Sequence, residues 1–157
     1  MAKHVTGLTA LDIAKWFINS TDRESGDEAT HLKIQKLIYY AQGWFLANYD
    51  QMLFVEDLQA WAHGPVAVSV LDQFKGYGFD SIPPQKVSKK LGLMVEEFLE
   101  AVNEEYGGYT AKRLERMTHS EPPWRNARGN LAPDARCSNV ISKKDMKEFF
   151  ESQLEDD

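Results

Sequence analysis

Cysteine is almost absent from this sequence, and so are the features of exported proteins. Cys137 is the only cysteine among 157 residues. A single cysteine cannot form an intramolecular disulfide, which indicates a reducing compartment. The N-terminal residues contain no long apolar run and no small-residue cleavage site, so neither a signal peptide nor a transmembrane helix is predicted. These absences together predict a cytoplasmic protein.

Positive charge is also scarce. The chain has 18 lysines and arginines against 24 aspartates and glutamates, a formal net charge of −6 and a pI of about 5.2. Broad binding to nucleic acid requires a basic face, so it is disfavoured, whereas an acidic protein suits a basic partner. The basic residues Lys112, Arg113, Arg116, Arg125, Arg128 and Arg136 could contact an anionic partner, but a solvated helix face is the favoured interpretation.

The sequence lacks the common motifs of metal, phosphate and catalytic sites. Its histidines, His4, His31, His63 and His119, show no i, i+4 spacing, and no Cys-x-x-Cys or glycine-rich phosphate loop is present. Cys137 could act as a nucleophile with His119 or His63 as base, but no local signature supports this and an unreactive thiol is favoured. No carboxylate pair stands in an apolar setting. We therefore predict no catalytic residue, no metal and no cofactor.

Helical periodicity dominates the chain and predicts a mainly α fold. Thr9 and Asp12 form a capping-box pattern before a helix over 11–19. Apolar residues at helical spacing predict a second helix over about 30–49, with Thr30 as its N-cap. From residue 37 onward this helix is apolar on most sides, which predicts that it is buried at the centre of the domain. Gly43 within it would allow another element to approach closely.

Further helices are predicted over 66–74 and 90–106, from Thr110, and from Ser142, where Asp145 completes a second capping box. The 90–106 helix should bury an apolar stripe that includes Met94 and Phe98, and the last helix should bury Leu154. The segment after His119 is predicted to be a long loop with one helical turn near Trp124. The prediction is a compact helical domain around the central buried helix, one domain over 1–157.

A small β element is predicted near 53–63, because residues 58–63 alternate with a period of two. Gly64 and Pro65 are expected to form a structural turn from this strand into the next helix, since proline lacks a donor for the strand ladder. Trp61, before this turn, and Trp124 are each either wedged into the core or presented as contact anchors. For each tryptophan alone, the core is the more common location.

Four segments, over residues 8–18, 30–47, 60–78 and 114–128, resemble in that order the Panacea domain of SocA-like antitoxins, formerly described as phage-associated and GepA-like. The central helix matches the family's Leu-Gln-Lys-Leu-x-Tyr-Tyr pattern with residues 34–40. A Trp-x-x-Gly-Pro-Val element falls on Trp61, Gly64, Pro65 and Val66, and a His-x-x-x-Pro-Trp element falls on His119, Pro123 and Trp124. The resemblance extends over about 8–150.

The resemblance implies a mostly helical antitoxin rather than an enzyme. Members of the family bind and neutralise a toxin encoded by the adjacent gene, and SocA itself also delivers its toxin to an ATP-dependent protease. Many members carry an added N-terminal segment, sometimes DNA-binding, whereas this sequence starts almost at the domain. This difference and the acidic charge both argue against direct binding to operator DNA.

The expected partner-binding residues are Trp61, His63, Trp124 and Arg125, forming an aromatic-centred contact patch. The expected partner is a protein toxin, with an ATP-dependent protease as a second partner. Two alternatives stay open: a prophage-derived protein that binds a host factor, and a hydrolase that uses His63, His119 and a carboxylate, with or without a metal.

Overall fold

The computed structural model describes residues 3–4, 6–87 and 89–155 of the chain. Within these residues the fold is mainly α with a small two-stranded antiparallel sheet. The helices are α1 (Ala10–Asn19), α2 (His31–Tyr49), α3 (Val68–Phe74), α4 (Leu93–Tyr106), α5 (Ala111–His119), α6 (Pro122–Arg128) and α7 (Lys143–Glu155). The strands are β1 (Gln59–Trp61) and β2 (Gly64–Val66). Short 3₁₀ turns cover Arg23–Ser25 and Lys75–Tyr77.

Helix α2 lies at the centre of the fold, as its sequence predicts. It begins after Thr30, whose hydroxyl accepts a hydrogen bond from Lys33 N at 3.3 Å, and it packs against α1, α3, α4, α5, α7 and β2. At Gly43 the ring of Phe150 from α7 lies directly against the helix backbone, so that an added Cβ would overlap the ring. Gly43 therefore permits the close packing of α7 on α2, as predicted from its position.

Several polar residues of α2 are buried as well, and two glutamines among them bond to the backbone of loops. Gln35 accepts from Ala67 N at 2.8 Å and donates to Ala67 O at 3.1 Å. Gln42 accepts from Leu53 N and donates to Phe54 O, both at 2.7 Å. Because buried backbone groups require partners, these side chains fix loops that have no regular structure of their own.

The β element is a hairpin whose two-residue turn is Ala62–His63. Its register pairs Ala60 with Pro65 and Trp61 with Gly64. The predicted strand-to-helix turn at Gly64 and Pro65 is therefore wrong, because both residues belong to β2, and α3 begins only at Val68. Proline is tolerated there because β2 is an edge strand, on which a missing N–H need not break a ladder.

Helix boundaries and two buried positions also differ from the sequence prediction. Helix α4 begins at Leu93 rather than near residue 90, and the segment around Trp124 forms the full helix α6. Met94 and Leu154, both expected in the core, are 51% and 40% exposed. Periodicity identifies an apolar stripe, but the fold decides how much of that stripe is covered.

The N-caps predicted at Thr9 and Thr30 rest on local chemistry and are confirmed. At α1 both halves of the capping box are present, with Asp12 N donating to Thr9 Oγ1 at 3.1 Å and Thr9 N donating to Asp12 Oδ2 at 2.9 Å. Among the described helices, none is long and apolar enough to cross a membrane. The assignment of residues 1–157 to one domain stays a prediction.

Candidate functional site

Buried side chains of α6 donate hydrogen bonds to the backbone of β1, next to the hairpin turn. Trp124 Nε1 donates to Trp61 O at 2.9 Å, and Arg128 Nη1 donates to Ala60 O at 2.9 Å. The Arg128 guanidinium also donates to Ala132 O at 2.6 Å and to Ala135 O at 2.7 Å. A single buried arginine thus joins β1 to the loop after α6, which gives the hairpin a rigid support.

Trp124 supports this surface instead of lying on it. It is only 4% exposed, its indole stacks on the imidazole of His119, and the Arg128 guanidinium lies 4.8 Å from its ring centroid. The expectation that Trp124 itself is a contact residue therefore conflicts with its burial. The aromatic side chain fills the space between α5, α6 and the hairpin, which is the core alternative that the sequence left open.

Two of the expected contact residues are accessible on the hairpin. Trp61 is half-buried and its Nε1 donates to Gln59 Oε1 at 2.7 Å. The side chain of His63 is 70% exposed, and its Nδ1 lies 3.2 Å from Glu115 Oε1 on α5. We call the surface formed by Trp61, His63 and Glu115 the hairpin face.

Arg125 is exposed on α6, one residue after Trp124. It lines a shallow pocket of about 480 Å³ with Pro122, Asn126, Gly129 and Asn130. Within the described residues no side-chain hydrogen bond or ion pair joins Arg125 to the hairpin. The structure therefore brings Trp61, His63 and Trp124 together, while Arg125 lies on the adjoining surface of α6.

A buried lysine lies beneath the hairpin face. Lys36 is 2% exposed, and its Nζ donates to Leu32 O at 3.0 Å. Burial lowers the pKa of Lys36 to about 8. Gly64, at φ +118°, is where β2 passes this lysine: an added Cβ would lie 3.2 Å from Lys36 Cε and 3.3 Å from Thr118 Oγ1. Glycine is required here by both its backbone conformation and this close approach.

Glu115 is a residue of α5, and its carboxylate links this helix to the hairpin. Its carboxylate accepts from Lys112 Nζ at 3.0 Å through Oε2, while Oε1 faces His63. Burial alone would raise the pKa of Glu115, but the hydrogen bonds from Lys112 and His63, together with the positive charges of Lys112 and Lys36, hold this pKa below its usual value. Burial lowers the pKa of His119, so the stacked imidazole favours its neutral form.

Glu121 is the residue that the sequence did not single out. It receives hydrogen bonds from Tyr39 Oη at Oε1 and from Tyr40 Oη at Oε2, both at 2.9 Å. Burial raises the pKa of Glu121 to about 7, although the two hydroxyl donors act in the opposite direction. The available signal was indirect: two adjacent tyrosines on a buried helix need an acceptor for their hydroxyl groups.

The geometry does not assemble a nucleophile with a base. Cys137 is buried, and in the described parts of the chain no hydrogen bond joins its thiol to His63 or His119. No cluster of three or more His, Cys, Asp or Glu residues that could hold a metal ion occurs among the residues described. What the site offers is an exposed imidazole and the edge of an indole on a rigid support, which is a surface for contact.

The segments that carry the sequence resemblance meet in this region. Residues 34–40 on α2 include Lys36, Tyr39 and Tyr40. These side chains contact the hairpin and the junction of α5 and α6, and the hairpin and this junction also contact each other. No curated protein and no solved structure matches the chain. A family model described as "Antitoxin SocA-like, Panacea domain" matches residues 34–125, which is more than half of the sequence. The chain therefore belongs to the SocA-like antitoxin family with a Panacea domain.

Proposed function

We propose that this protein is an antitoxin that neutralises a protein toxin by binding it directly. The observation that carries the proposal is the match of residues 34–125 to an antitoxin family. The family name implies a toxin as the partner in general terms, and a binding role without catalysis is part of the proposal. The adjacent gene is the natural place to look for the toxin.

The hairpin face, with Arg125 beside it, is the surface we propose for this contact. Tryptophan and arginine are enriched among the residues that dominate binding energy, and His63 offers both donor and acceptor atoms. The support from Trp124 and Arg128 fixes the hairpin before the partner arrives, which reduces the entropy lost on binding.

The charge of the protein favours a basic toxin. A net charge of −6 accelerates association with a partner of opposite charge and leaves most of the affinity to the buried contacts. Toxins that act on RNA or nucleotides carry basic surfaces for their substrates, so they fit this expectation. The association rate should therefore fall steeply with ionic strength, whereas the dissociation rate should change little.

The deciding experiment is co-expression with the product of the adjacent gene, followed by a growth assay and affinity purification. The proposal requires that the neighbour alone stops growth, and that this protein restores growth and co-purifies with it. A harmless neighbour with no bound protein would reject the antitoxin role. Capture of a host protein in that case would favour the host-factor alternative, and hydrolytic activity with bound metal would favour the enzyme.

Variants of the hairpin face test the proposed surface within the same assay. Trp61→Ala combined with His63→Ala should weaken toxin binding by about tenfold or more, as expected for loss of a dominant contact. Phe79→Ala is the matched control, because Phe79 is an aromatic residue that is 88% exposed elsewhere on the protein. Full neutralisation by a folded Trp61/His63 double variant would remove the hairpin face from the interface.

Delivery of the toxin to an ATP-dependent protease can be separated from simple occlusion by measuring toxin abundance. If the protein acts as an adaptor, the toxin should disappear faster when the antitoxin is present, and only in cells that contain the protease. If it acts by occlusion, the toxin should persist as an inactive complex.

A further inference from the structure

A groove at the C-terminal end of α2 has no role in the site described above. It has a volume of about 870 Å³ and is formed by the C-terminal part of α2, one face of α4 and the end of α7. Its floor contains Trp44 and Phe98, which are half-buried, and Tyr106, which accepts a hydrogen bond from Trp44 Nε1 at 2.8 Å. The floor is thus aromatic and preorganised.

Three apolar side chains on the rim of this groove are exposed to solvent. Tyr49, Met94 and Leu154 line it and are 44%, 51% and 40% exposed. Met94 and Leu154 belong to helical stripes that their sequence pattern assigns to a core. The stripes of α4 and α7 therefore extend beyond the contacts that the fold provides, which leaves these apolar side chains exposed beside polar ones and available to a partner.

The charge of the groove has a single sign. Glu97 and Glu105 line it, and no lysine, arginine or histidine does so. Helix α4 as a whole carries five glutamates and no basic residue. Lys147, on α7, is engaged by Asp50 at 3.2 Å and Glu151 at 3.8 Å. An occupant of this groove must therefore present apolar side chains to the floor and positive charge to the α4 wall.

The dimensions of the groove indicate a helical occupant. Its lining on α4 extends from Met94 to Tyr106, which at 1.5 Å per residue is roughly 18 Å, or just over three helical turns. The walls are helices, so within the described residues the groove offers no strand edge for β-pairing. An amphipathic helix that lays its apolar face into a hydrophobic groove is the recognition mode that such walls support.

We infer that the groove between α2, α4 and α7 binds a basic amphipathic helix of the toxin, of about three turns, with apolar residues at i, i+3, i+4 and i+7. The inference rests on the proposed antitoxin function and adds the chemistry of the bound segment. It assigns the groove the apolar and ionic part of the interface, separate from the hairpin face.

A pair of matched variants tests the inference. Met94→Lys with Glu97→Lys changes the groove, whereas Leu93→Lys with Glu100→Lys changes the same helix by the same charge outside the groove lining. All four positions are exposed, so both variants should fold. The groove variant should bind the toxin about tenfold more weakly or worse, while the control should stay within about threefold of the unmodified protein.

A synthetic probe tests the groove without the toxin. The probe is a 14-residue peptide with leucine at i, i+3, i+4 and i+7 and lysine on the other face, and its control carries glutamate in place of lysine. The lysine peptide should bind and shift the NMR signals of the Met94 and Leu154 methyl groups, and added salt should weaken it. The glutamate peptide should not bind the unmodified protein, and the groove variant should lose binding of the lysine peptide.

The outcomes separate the inference from the proposed function. If the unmodified protein neutralises the toxin and both variants do so equally, the groove inference is wrong and the antitoxin function stands. If the unmodified protein neither neutralises nor co-purifies with the neighbour, the proposed function fails whatever the peptide does. If sedimentation shows a dimer that only the groove variant disrupts, the occupant is a second copy of this chain and the inference is overturned.

Discussion

The imidazole of His119 lies flat on the indole of Trp124, with ring centroids 4.0 Å apart and ring planes inclined by 15°. The same indole donates through Nε1 to the carbonyl of Trp61. This pair therefore joins the end of α5, the first turn of α6 and the hairpin. The shape of the hairpin face depends on a buried tryptophan that does not itself reach the surface.

Trp124→Ala should lower the free energy of unfolding by about 3–5 kcal/mol, because it removes a large buried side chain and leaves Trp61 O without its donor. Trp61→Ala should cost only about 1 kcal/mol, since Trp61 is half-buried. Urea denaturation followed by circular dichroism measures both values. Equal losses from the two variants would contradict the supporting role of Trp124.

Glu121→Gln should remove one component of the pH dependence of stability. The pKa of Glu121 in the folded protein, about 7, lies above its unfolded value near 4.5. The folded state therefore binds this proton more readily, so its contribution to stability is present at low pH and is lost as pH rises from about 4.5 through 7.

The measurement for Glu121 is the free energy of unfolding at a series of pH values from 5 to 8. The difference between the Gln variant and the unmodified protein should grow in favour of the variant as pH rises. Burial lowers the pKa of His31 and His119, and these groups act in the opposite sense, but they are common to both proteins and cancel. A pH-independent difference would contradict the raised pKa.

Gly43→Ala should destabilise the protein even though alanine is the better helix former. Alanine would gain up to about 1 kcal/mol in helix propensity, but its Cβ would overlap the Phe150 ring, and overpacking of this kind costs about 1–3 kcal/mol. Thermal and urea unfolding measure the net change.

A double variant identifies the cause of that change. Gly43→Ala combined with Phe150→Leu should be less destabilised than the sum of the two single variants, because leucine leaves room for the methyl group. Additive losses would show that Phe150 is not the group that excludes alanine.

Gln42→Ala should lower the free energy of unfolding by about 2–4 kcal/mol, because it leaves Leu53 N and Phe54 O without the hydrogen bonds that they make to Gln42 in the core. Gln73→Ala is the matched control, since Gln73 is exposed on α3 and should change stability by less than about 0.5 kcal/mol. Urea denaturation of the two variants side by side tests this contrast.

Features fixed by neighbouring residues could be predicted from the sequence. The hydroxyls of Thr30 and Thr110 accept from the backbone N–H three residues later, at 3.3 and 3.1 Å, so the starts of α2 and α5 follow from local chemistry. The burial of α2 follows from its composition. The family resemblance was confirmed over residues 34–125 by the match to the family model.

Features fixed by distant residues could not be predicted in the same way. Glu121 becomes a buried acceptor only because α6 brings it to Tyr39 and Tyr40, 82 and 81 residues away in the sequence. Pro122 and Pro123 read as helix breakers, yet prolines at the first positions of a helix need no N–H donor and are compatible with α6.

The glutamines of α2 also determine where the molecule can open. Ala67 N and Leu53 N lie in irregular segments, but their hydrogens are held by Gln35 and Gln42 inside the core. Such amides should exchange with deuterium as slowly as those in the middle of α2, because breaking their hydrogen bonds to the glutamines requires the central helix to become exposed. Local flexibility will therefore not follow secondary structure: loop residues tied to α2 move with the core.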